Sequence, residues 1–243
     1  MHAALQPFVE RYWSVRWDRG GLPGFRSEVL THPCVNLSVE SGDRPRFGHA
    51  MPAVLVHGVG TRRFVVDLEG AGRVTAAKFR PGGFAALFGV VPNRDTVLPA
   101  SLFGLPGPAL LTKTLAVDDD VDRAAVLDQQ LVPWAHEPAP EYLELLQLLA
   151  AMLADRGLVR VEQVAALGSR TTRGLQRLFA TYLGIGPKAV LARYRLHDAL
   201  DLLDRGEVDD LAGLAFELGW ADQAHFSRDF RAAVGLTPSE YRH

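Results

Sequence analysis

Cysteine is nearly absent from this sequence, since Cys34 is its only cysteine among 243 residues. A single thiol cannot form an internal disulfide framework, and sparse cysteine is typical of proteins in a reducing compartment. We therefore expect a cytoplasmic protein that is stabilised by buried apolar side chains. Two roles are open for Cys34 itself. It is either a redox thiol activated by the neighbouring His32, or a buried apolar side chain, which is the more common role.

Long apolar runs are absent too. The longest, residues 84–91, is interrupted by Gly89 and ended by Pro92, whereas a membrane-spanning helix needs about 20 apolar residues. The residues after Met1 lack the basic start and apolar run of a secretory signal. The sequence therefore predicts a protein without a membrane partner.

Motifs of the common enzyme classes are missing as well. We find no nucleophile–base pair, phosphate-binding loop or nucleotide fingerprint. The residues that suggest a metal site are His32, His49 and His57 with Glu69 or Asp67. Isolated histidines on strands are more often core or surface residues than ligands. We therefore expect no metal, no cofactor and no enzymatic activity.

Charge is balanced overall but unevenly distributed. The net charge of −2 does not by itself indicate a nucleic-acid partner, and local clusters are more informative. Between residues 160 and 195 the single acidic residue is Glu162. The basic residues are Arg160, Arg170, Arg173, Arg177, Lys188, Arg193 and Arg195. From residue 198 to 217 acids dominate. The basic segment predicts salt-dependent binding to a polyanion.

A pattern in the C-terminal third occurs twice. Each member of the second copy follows its counterpart by 51 residues, and apolar, basic and turn residues all keep this offset. The pairs are Leu175 and Phe226, Arg177 and Arg228, Phe179 and Phe230, Gly184 and Gly235, and Pro187 and Pro238. A constant offset across different residue types indicates an internal structural repeat.

Each copy has the pattern of a helix-turn-helix. A short helical segment with a small residue leads into a glycine turn, and a second helix follows. Thr171 and Asp222 are good N-cap residues for these second helices. Helical spacing assigns to the core Leu175, Leu178 and Phe179 in the first copy, and Phe226 and Phe230 in the second. In such motifs the second helix enters the major groove of DNA.

Polar side chains lie off the core stripe of both second helices. They are Arg173, Gln176 and Arg177 in the first copy, and Gln223, Ser227 and Arg228 in the second. Arg pairs bidentately with guanine, Gln with adenine, and Ser adapts to either. The alternative is a solvated helix face, because Arg and Gln are also good helix formers. Two copies in one register favour base recognition.

The segment from about Val161 to Arg242 resembles the AraC/XylS family of bacterial transcription regulators. The resemblance is carried by residues 215–231 (AFELGWADQAHFSRDFR) and 235–242 (GLTPSEYR). It implies two helix-turn-helix units, joined by one long helix, that contact adjacent major-groove segments of double-stranded DNA. By position, the DNA contacts fall on Thr172, Arg173, Gln176, Arg177, Gln223, Ala224, Ser227 and Arg228.

Three residues depart from the family pattern. Trp220 stands where the family usually has Phe. Gly174 lies inside the first recognition helix, where it costs about 1 kcal/mol relative to Ala. Ala224 has no hydrogen-bonding group for a base edge, although its methyl can touch a thymine methyl.

The N-terminal half predicts several short strands separated by Gly/Pro turns, which is typical of a small barrel or sandwich. It resembles the cupin-like effector-sensing or dimerisation domains of the family. A weaker resemblance, through Tyr12-Trp13, residues 32–36 and residues 78–82, is to an uncharacterised N-terminal class. We expect an α+β protein. Residues 1–136 form a cupin-like β-barrel or sandwich with flanking helices, residues 137–243 form an all-α double helix-turn-helix domain, and residues 133–140 are the linker.

The leading hypothesis is a sequence-specific transcription regulator controlled by a small-molecule effector on the N-terminal domain. Its expected partners are double-stranded DNA, the effector, and RNA polymerase if it is an activator. It is a monomer or a homodimer. The aromatic residues Tyr12, Trp13, Trp17 and Phe25 either line a pocket or belong to the core. Two alternatives stay open: a cupin-like metalloenzyme with a helical appendage, and a regulator whose N-terminal domain only dimerises.

Overall fold

The computed structural model describes residues 1–242, which form a sheet-rich N-terminal part followed by helices. The strands are β1 (Val9–Asp18), β2 (Phe25–Val29), β3 (Asn36–Gly42), β4 (Ala53–His57), β5 (Phe64–Leu68), β6 (Ala71–Phe79) and β7 (Val97–Pro99). The helices are α1 (Gly83–Phe88), α2 (Gly107–Leu115), α3 (Asp120–Leu131), α4 (Pro140–Ala154), α5 (Val161–Leu167), α6 (Thr172–Leu183), α7 (Pro187–Asp204), α8 (Leu211–Glu217), α9 (Gln223–Val234) and α10 (Pro238–Tyr241). The expected α+β fold is confirmed.

Two antiparallel sheets make up the N-terminal part. The larger has the order β1-β6-β3-β4-β7, and the smaller pairs β2 with β5. The burial pattern of strand β3 shows that both faces of the larger sheet are covered by other parts of the protein. Leu37 and Val39 are buried on one face, whereas Ser38 and Glu40 are buried on the other. Because side chains alternate along a strand, the first face packs on helices and the second faces the two-stranded sheet.

The helical face of the larger sheet forms the main core. Leu37, Val56 and Phe79 are fully buried there with Leu127 of α3 and Tyr142 of α4. The several short strands expected in the N-terminal half are present, and the long helix expected to join the two helix-turn-helix units is α7.

Buried apolar side chains form two clusters that meet on α7. The first extends from Leu5 through the sheet and the first helix-turn-helix to Tyr194. The second begins at Leu196 and comprises the rest of α7 with the second helix-turn-helix. The connecting helix therefore belongs to both cores, one at each end. The division of the chain at residues 136/137 stays a prediction.

The predicted linker lies against the protein. A short 3-10 turn, Val132–Trp134, is followed by extended chain up to α4. The ring of Trp134 packs edge-on to Phe88 at 5.3 Å, and that of His136 lies 5.3 Å from Phe8.

Within residues 1–242, none of the helices combines the length and the apolar character that a membrane crossing requires.

Candidate nucleic-acid interface and inter-sheet cavity

The duplicated sequence pattern corresponds to two helix pairs of matching size. The first unit, α5 and α6, has helices of 7 and 12 residues. The second unit, α8 and α9, has helices of the same 7 and 12 residues. Each longer helix ends at a left-handed glycine, Gly184 with φ 68° and Gly235 with φ 96°. These positions favour glycine because a side chain is strained at positive φ.

Side-chain caps fix where both recognition helices begin. Thr171 Oγ1 accepts a hydrogen bond from the Gly174 amide at 3.1 Å. Asp222 Oδ1 accepts one from the His225 amide at 2.6 Å. Each cap satisfies a backbone donor that has no partner within its helix. Both predicted N-caps are therefore confirmed, and with them the register of the two helices.

The apolar stripe of each recognition helix is buried as predicted. Leu175 and Phe179 of α6 and Phe226 and Phe230 of α9 are inaccessible to solvent. Phe226 contacts Phe230 and Trp220, with ring centroids 5.6 Å and 4.8 Å apart. Burying this stripe leaves the opposite side of each helix facing outward.

The predicted DNA-contact residues lie on that outward side. Thr172 and Ser227 are half-buried, and the exposed ones are Arg173, Gln176, Arg177, Gln223, Ala224 and Arg228. Among the residues that the structure describes, none of these side chains has a hydrogen-bond or ion-pair partner. Their donors and acceptors are therefore available to a base or phosphate at no cost in intramolecular bonds. Base contact itself stays a prediction.

Trp220 is a structural residue of the second unit. It is 3% exposed, and its indole Nε1 donates to Asp229 Oδ2 at 2.9 Å. The Arg195 guanidinium of α7 lies 4.8 Å from the centre of its ring and donates to the Gly219 carbonyl at 2.9 Å. The indole is thus accommodated because its polar atom has a partner.

Three of the seven basic residues between 160 and 195 serve the fold. Arg170 Nη2 bonds Glu144 Oε2 of α4 at 2.6 Å. Arg193 is buried and donates to the Gly60 carbonyl at 3.1 Å, while Arg195 holds the turn at Gly219. The basic residues of this segment that stay exposed are Arg160, Arg173, Arg177 and Lys188. The predicted DNA-contact surface is therefore less positive than the sequence alone indicates.

A cavity of about 370 Å³ lies between the two sheets of the N-terminal part. Most of its lining is apolar, contributed by alternate residues of strands from both sheets. These residues are Trp13, Val15, Trp17, Val29, Phe64, Val66, Leu68 and Val74. A concave, mostly apolar space with a few polar groups is typical of a small-molecule site.

A buried polar cluster forms one part of the cavity wall. Glu40 is 1% exposed and accepts a hydrogen bond from Ser38 Oγ at 2.8 Å, and His57 Nε2 lies 2.9 Å from the same oxygen. The Arg46 guanidinium lies 4.6 Å from the centre of the Trp17 ring, with Nη1 at 3.0 Å from Glu40 Oε2. Burial alone raises the pKa of Glu40, but His57 and Arg46 together hold this pKa below its ordinary value.

Arg46 retains hydrogen-bonding capacity in this cluster. Its contact with Glu40 is an ion pair outside hydrogen-bond geometry, so Nε and Nη1 of Arg46 are buried without hydrogen-bond partners among residues 1–242. Unsatisfied buried donors are costly. The Arg46 guanidinium, which lines the cavity, is therefore suited to donate to an acceptor on a bound molecule.

The four aromatic residues considered for a pocket separate into two groups. Trp13 and Trp17 line the cavity. Tyr12 points to the helical side, where its hydroxyl donates to Asp128 Oδ1 at 2.8 Å, and Phe25 is 54% exposed. Glu40 and Arg46 were missed because their partners His57 and Trp17 are distant from them in sequence. The alternation of residues 37–40, with Ser38 and Glu40 sharing a face, was their one local signal.

The three histidines considered as metal ligands do not converge. His57 contacts Glu40, His49 contacts the Val97 carbonyl at 3.1 Å, and His32 stacks on His197. Over residues 1–242, no three His, Cys, Asp or Glu side chains are grouped to hold a metal ion. Cys34 is buried, and burial raises its pKa to about 12, which favours the apolar role over the redox one.

Two family models match this chain. Residues 164–243 match a helix-turn-helix domain, and residues 2–96 match a domain of unknown function (DUF6597). The second match agrees with the weaker N-terminal resemblance described above.

Curated relatives match through part of the chain. An uncharacterised HTH-type transcriptional regulator of Haemophilus influenzae is 32% identical over 95 residues, covering 39% of this chain and 32% of that protein. The HTH-type transcriptional activator RhaS of Escherichia fergusonii is 36% identical over 81 residues, covering 33% of this chain and 29% of that protein. The chain thus spans about a third of the length of these relatives.

Among solved structures, ToxT from Vibrio cholerae matches with a TM-score of 0.49 and 10% identity, covering 96% of this chain and 97% of that one. The family model, the regulators among the relatives and the paired units agree on the C-terminal part. Residues 164–243 of this chain belong to an AraC-type helix-turn-helix domain, and residues 2–96 match the domain of unknown function named above.

Proposed function

We propose that the protein is a sequence-specific DNA-binding transcription regulator whose N-terminal domain binds a small-molecule effector. The observation that carries the proposal is the pair of 12-residue recognition helices. Each presents exposed Arg and Gln side chains that make no hydrogen bond or ion pair within residues 1–242. A solvated face would have the same residue types. It would not require the same cap, length and glycine end in both units.

In this proposal each unit contacts its own segment of the major groove. Arg173, Gln176 and Arg177 contact one segment, and Gln223, Ser227 and Arg228 contact the next. Helix α7 has 18 residues, which is about 27 Å at 1.5 Å per residue. This is close to one DNA turn of about 34 Å, so both units can face the same side of the duplex. If the protein activates transcription, RNA polymerase is a further partner.

The inter-sheet cavity supports the effector part of the proposal. Its volume of about 370 Å³ lies in the range of small-molecule pockets. The apolar lining favours an apolar molecule. The Arg46 guanidinium in its wall favours one that carries a hydrogen-bond acceptor at one end. We infer that Trp13, Trp17 and Arg46 contact the effector.

Substitution of Arg228 by alanine tests the DNA part. Its guanidinium is exposed and makes no hydrogen bond or ion pair with residues 1–242. Arg228→Ala should therefore leave the free energy of unfolding within about 0.5 kcal/mol of wild type. Affinity for the preferred DNA site should fall by about 1–3 kcal/mol, or roughly 5- to 150-fold, with relaxed preference at one base pair. Fluorescence anisotropy on the preferred site and its single-base variants measures both effects.

Arg231→Ala is the matched control, since Arg231 is exposed on the same helix one turn further along and outside the predicted contact set. Arg231→Ala removes the same charge as Arg228→Ala. Because Arg231 lies outside the predicted contacts, its loss should leave base preference unchanged. Loss of preference in both variants, or in neither, would show that the register assigned to α9 is wrong.

A further inference from the structure

The loops at one end of the cavity also hold the connecting helix. Cavity-lining residues include Leu30, Thr31 and His32 after β2, and Gly58 and Gly60 after β4. The two loops are in close contact, because a Cβ added at Gly60 would lie 2.7 Å from Thr31 Oγ1. A displacement of either loop is therefore passed to the other.

His32 makes the most direct contact between these loops and α7. Its ring stacks on that of His197 with centroids 4.0 Å apart and planes 8° from parallel. Burial lowers the pKa of both groups, and burial together with the nearby His32 and Arg193 lowers that of His197 to about 4. Both rings are thus neutral near pH 7 and can stack without charge repulsion.

Two more contacts join the same loops to the C-terminal part. Arg193 of α7 donates to the Gly60 carbonyl at 3.1 Å. Leu30 packs on the buried cluster of the second helix-turn-helix unit. The cavity wall, the connecting helix and the second unit are consequently in contact through residues 30–32 and 60.

We propose that these loops transmit occupancy of the inter-sheet cavity to α7, and through it to the second helix-turn-helix unit, with the His32–His197 stack as the coupling contact. A molecule that enters between the sheets presses on residues 30–32, which line the cavity on one side and contact α7 on the other. This inference rests on the proposed effector function and specifies how the site acts. His197 is a positioning residue, since it contacts the lining residue His32 but is itself part of neither the cavity lining nor the predicted DNA face.

The test fills the cavity with the protein's own atoms, so no effector is needed. Val66→Trp, on the wall formed by β5, is introduced into wild type and into His197→Ala, His197→Phe and Asp201→Ala backgrounds. Phe keeps a stacking ring, whereas Ala removes it. Asp201 is exposed one turn further along α7 and serves as the matched control. Val15→Phe, on the opposite wall, replaces Val66→Trp if the latter fails to fold.

Hydrogen exchange of the amides of residues 191–204 is the readout. We expect filling to change their exchange rates by about fivefold, the lower end of allosteric couplings, in wild type, His197→Phe and Asp201→Ala. In His197→Ala the change should be largely lost. Equal changes in all four backgrounds, or no change in any, would overturn the proposal.

This readout needs no DNA, which separates the two proposals. An exchange response in a protein that shows no sequence-specific DNA binding would sink the proposed function and leave the coupling intact. Specific DNA binding without any exchange response would do the reverse.

Discussion

The turn of the second unit provides a quantitative test of how that unit is held on α7. Gly219 has a φ of 80°, and a Cβ added there would lie 2.7 Å from Val159 Cγ1 and 3.3 Å from Arg195 Nη1. Left-handed backbone costs an alanine about 1–2 kcal/mol, and overpacking a tight site costs about 1–3 kcal/mol. Gly219→Ala should therefore destabilise the protein by about 2–5 kcal/mol, the sum of the two costs.

Urea denaturation followed by circular dichroism measures this loss. Gly174→Ala is the matched control, because Gly174 lies in α6 without positive φ, and its added Cβ would meet Thr171 Oγ1 at 3.3 Å. Alanine there gains helix propensity and should stabilise by up to about 1 kcal/mol. A Gly219→Ala protein as stable as wild type would refute the assigned turn geometry. So would equal losses in the two variants.

Two further predictions concern buried ionisable groups. Glu40→Gln removes the charge that faces buried Arg46, so it should cost about 2–4 kcal/mol in urea denaturation. The double variant Glu40→Gln/Arg46→Met should recover part of this loss, and a further loss would contradict the pairing. The folded-state pKa of His197, about 4, lies below its unfolded value near 6.5. Its stabilising contribution is therefore complete above pH 6.5 and is lost as the pH falls toward 4. Allowing for partial exposure, this amounts to on the order of 1–2 kcal/mol. His197→Phe should flatten that part of the pH–stability profile, and an unchanged profile would contradict the assignment.

The sequence predicts the C-terminal units well because their signals are local. The caps Thr171 and Asp222 and the terminal glycines Gly184 and Gly235 act within one helical turn, and the repeat supplied each signal twice. The core stripes followed from helical periodicity alone. Nothing in distant parts of the chain overrides these preferences.

What the sequence did not predict depends on residues distant in the chain. Glu40 meets His57 only through the pairing of β3 with β4. In the sequence Arg193 looks like one of the basic residues that would contact DNA. Only the structure shows that it donates to the Gly60 carbonyl instead. The helix at 107–115 is a different case, since proline at its second position is a recognised start signal.

The most direct test of the central claim is selection of preferred sites from random double-stranded DNA by the intact chain. We expect an enriched sequence with two conserved segments whose centres lie about 10–10.5 base pairs apart. Arg177→Ala should erase preference in one segment and Arg228→Ala in the other. Selection of a single segment, or of no sequence at all, would contradict two recognition helices held on one face of DNA by α7.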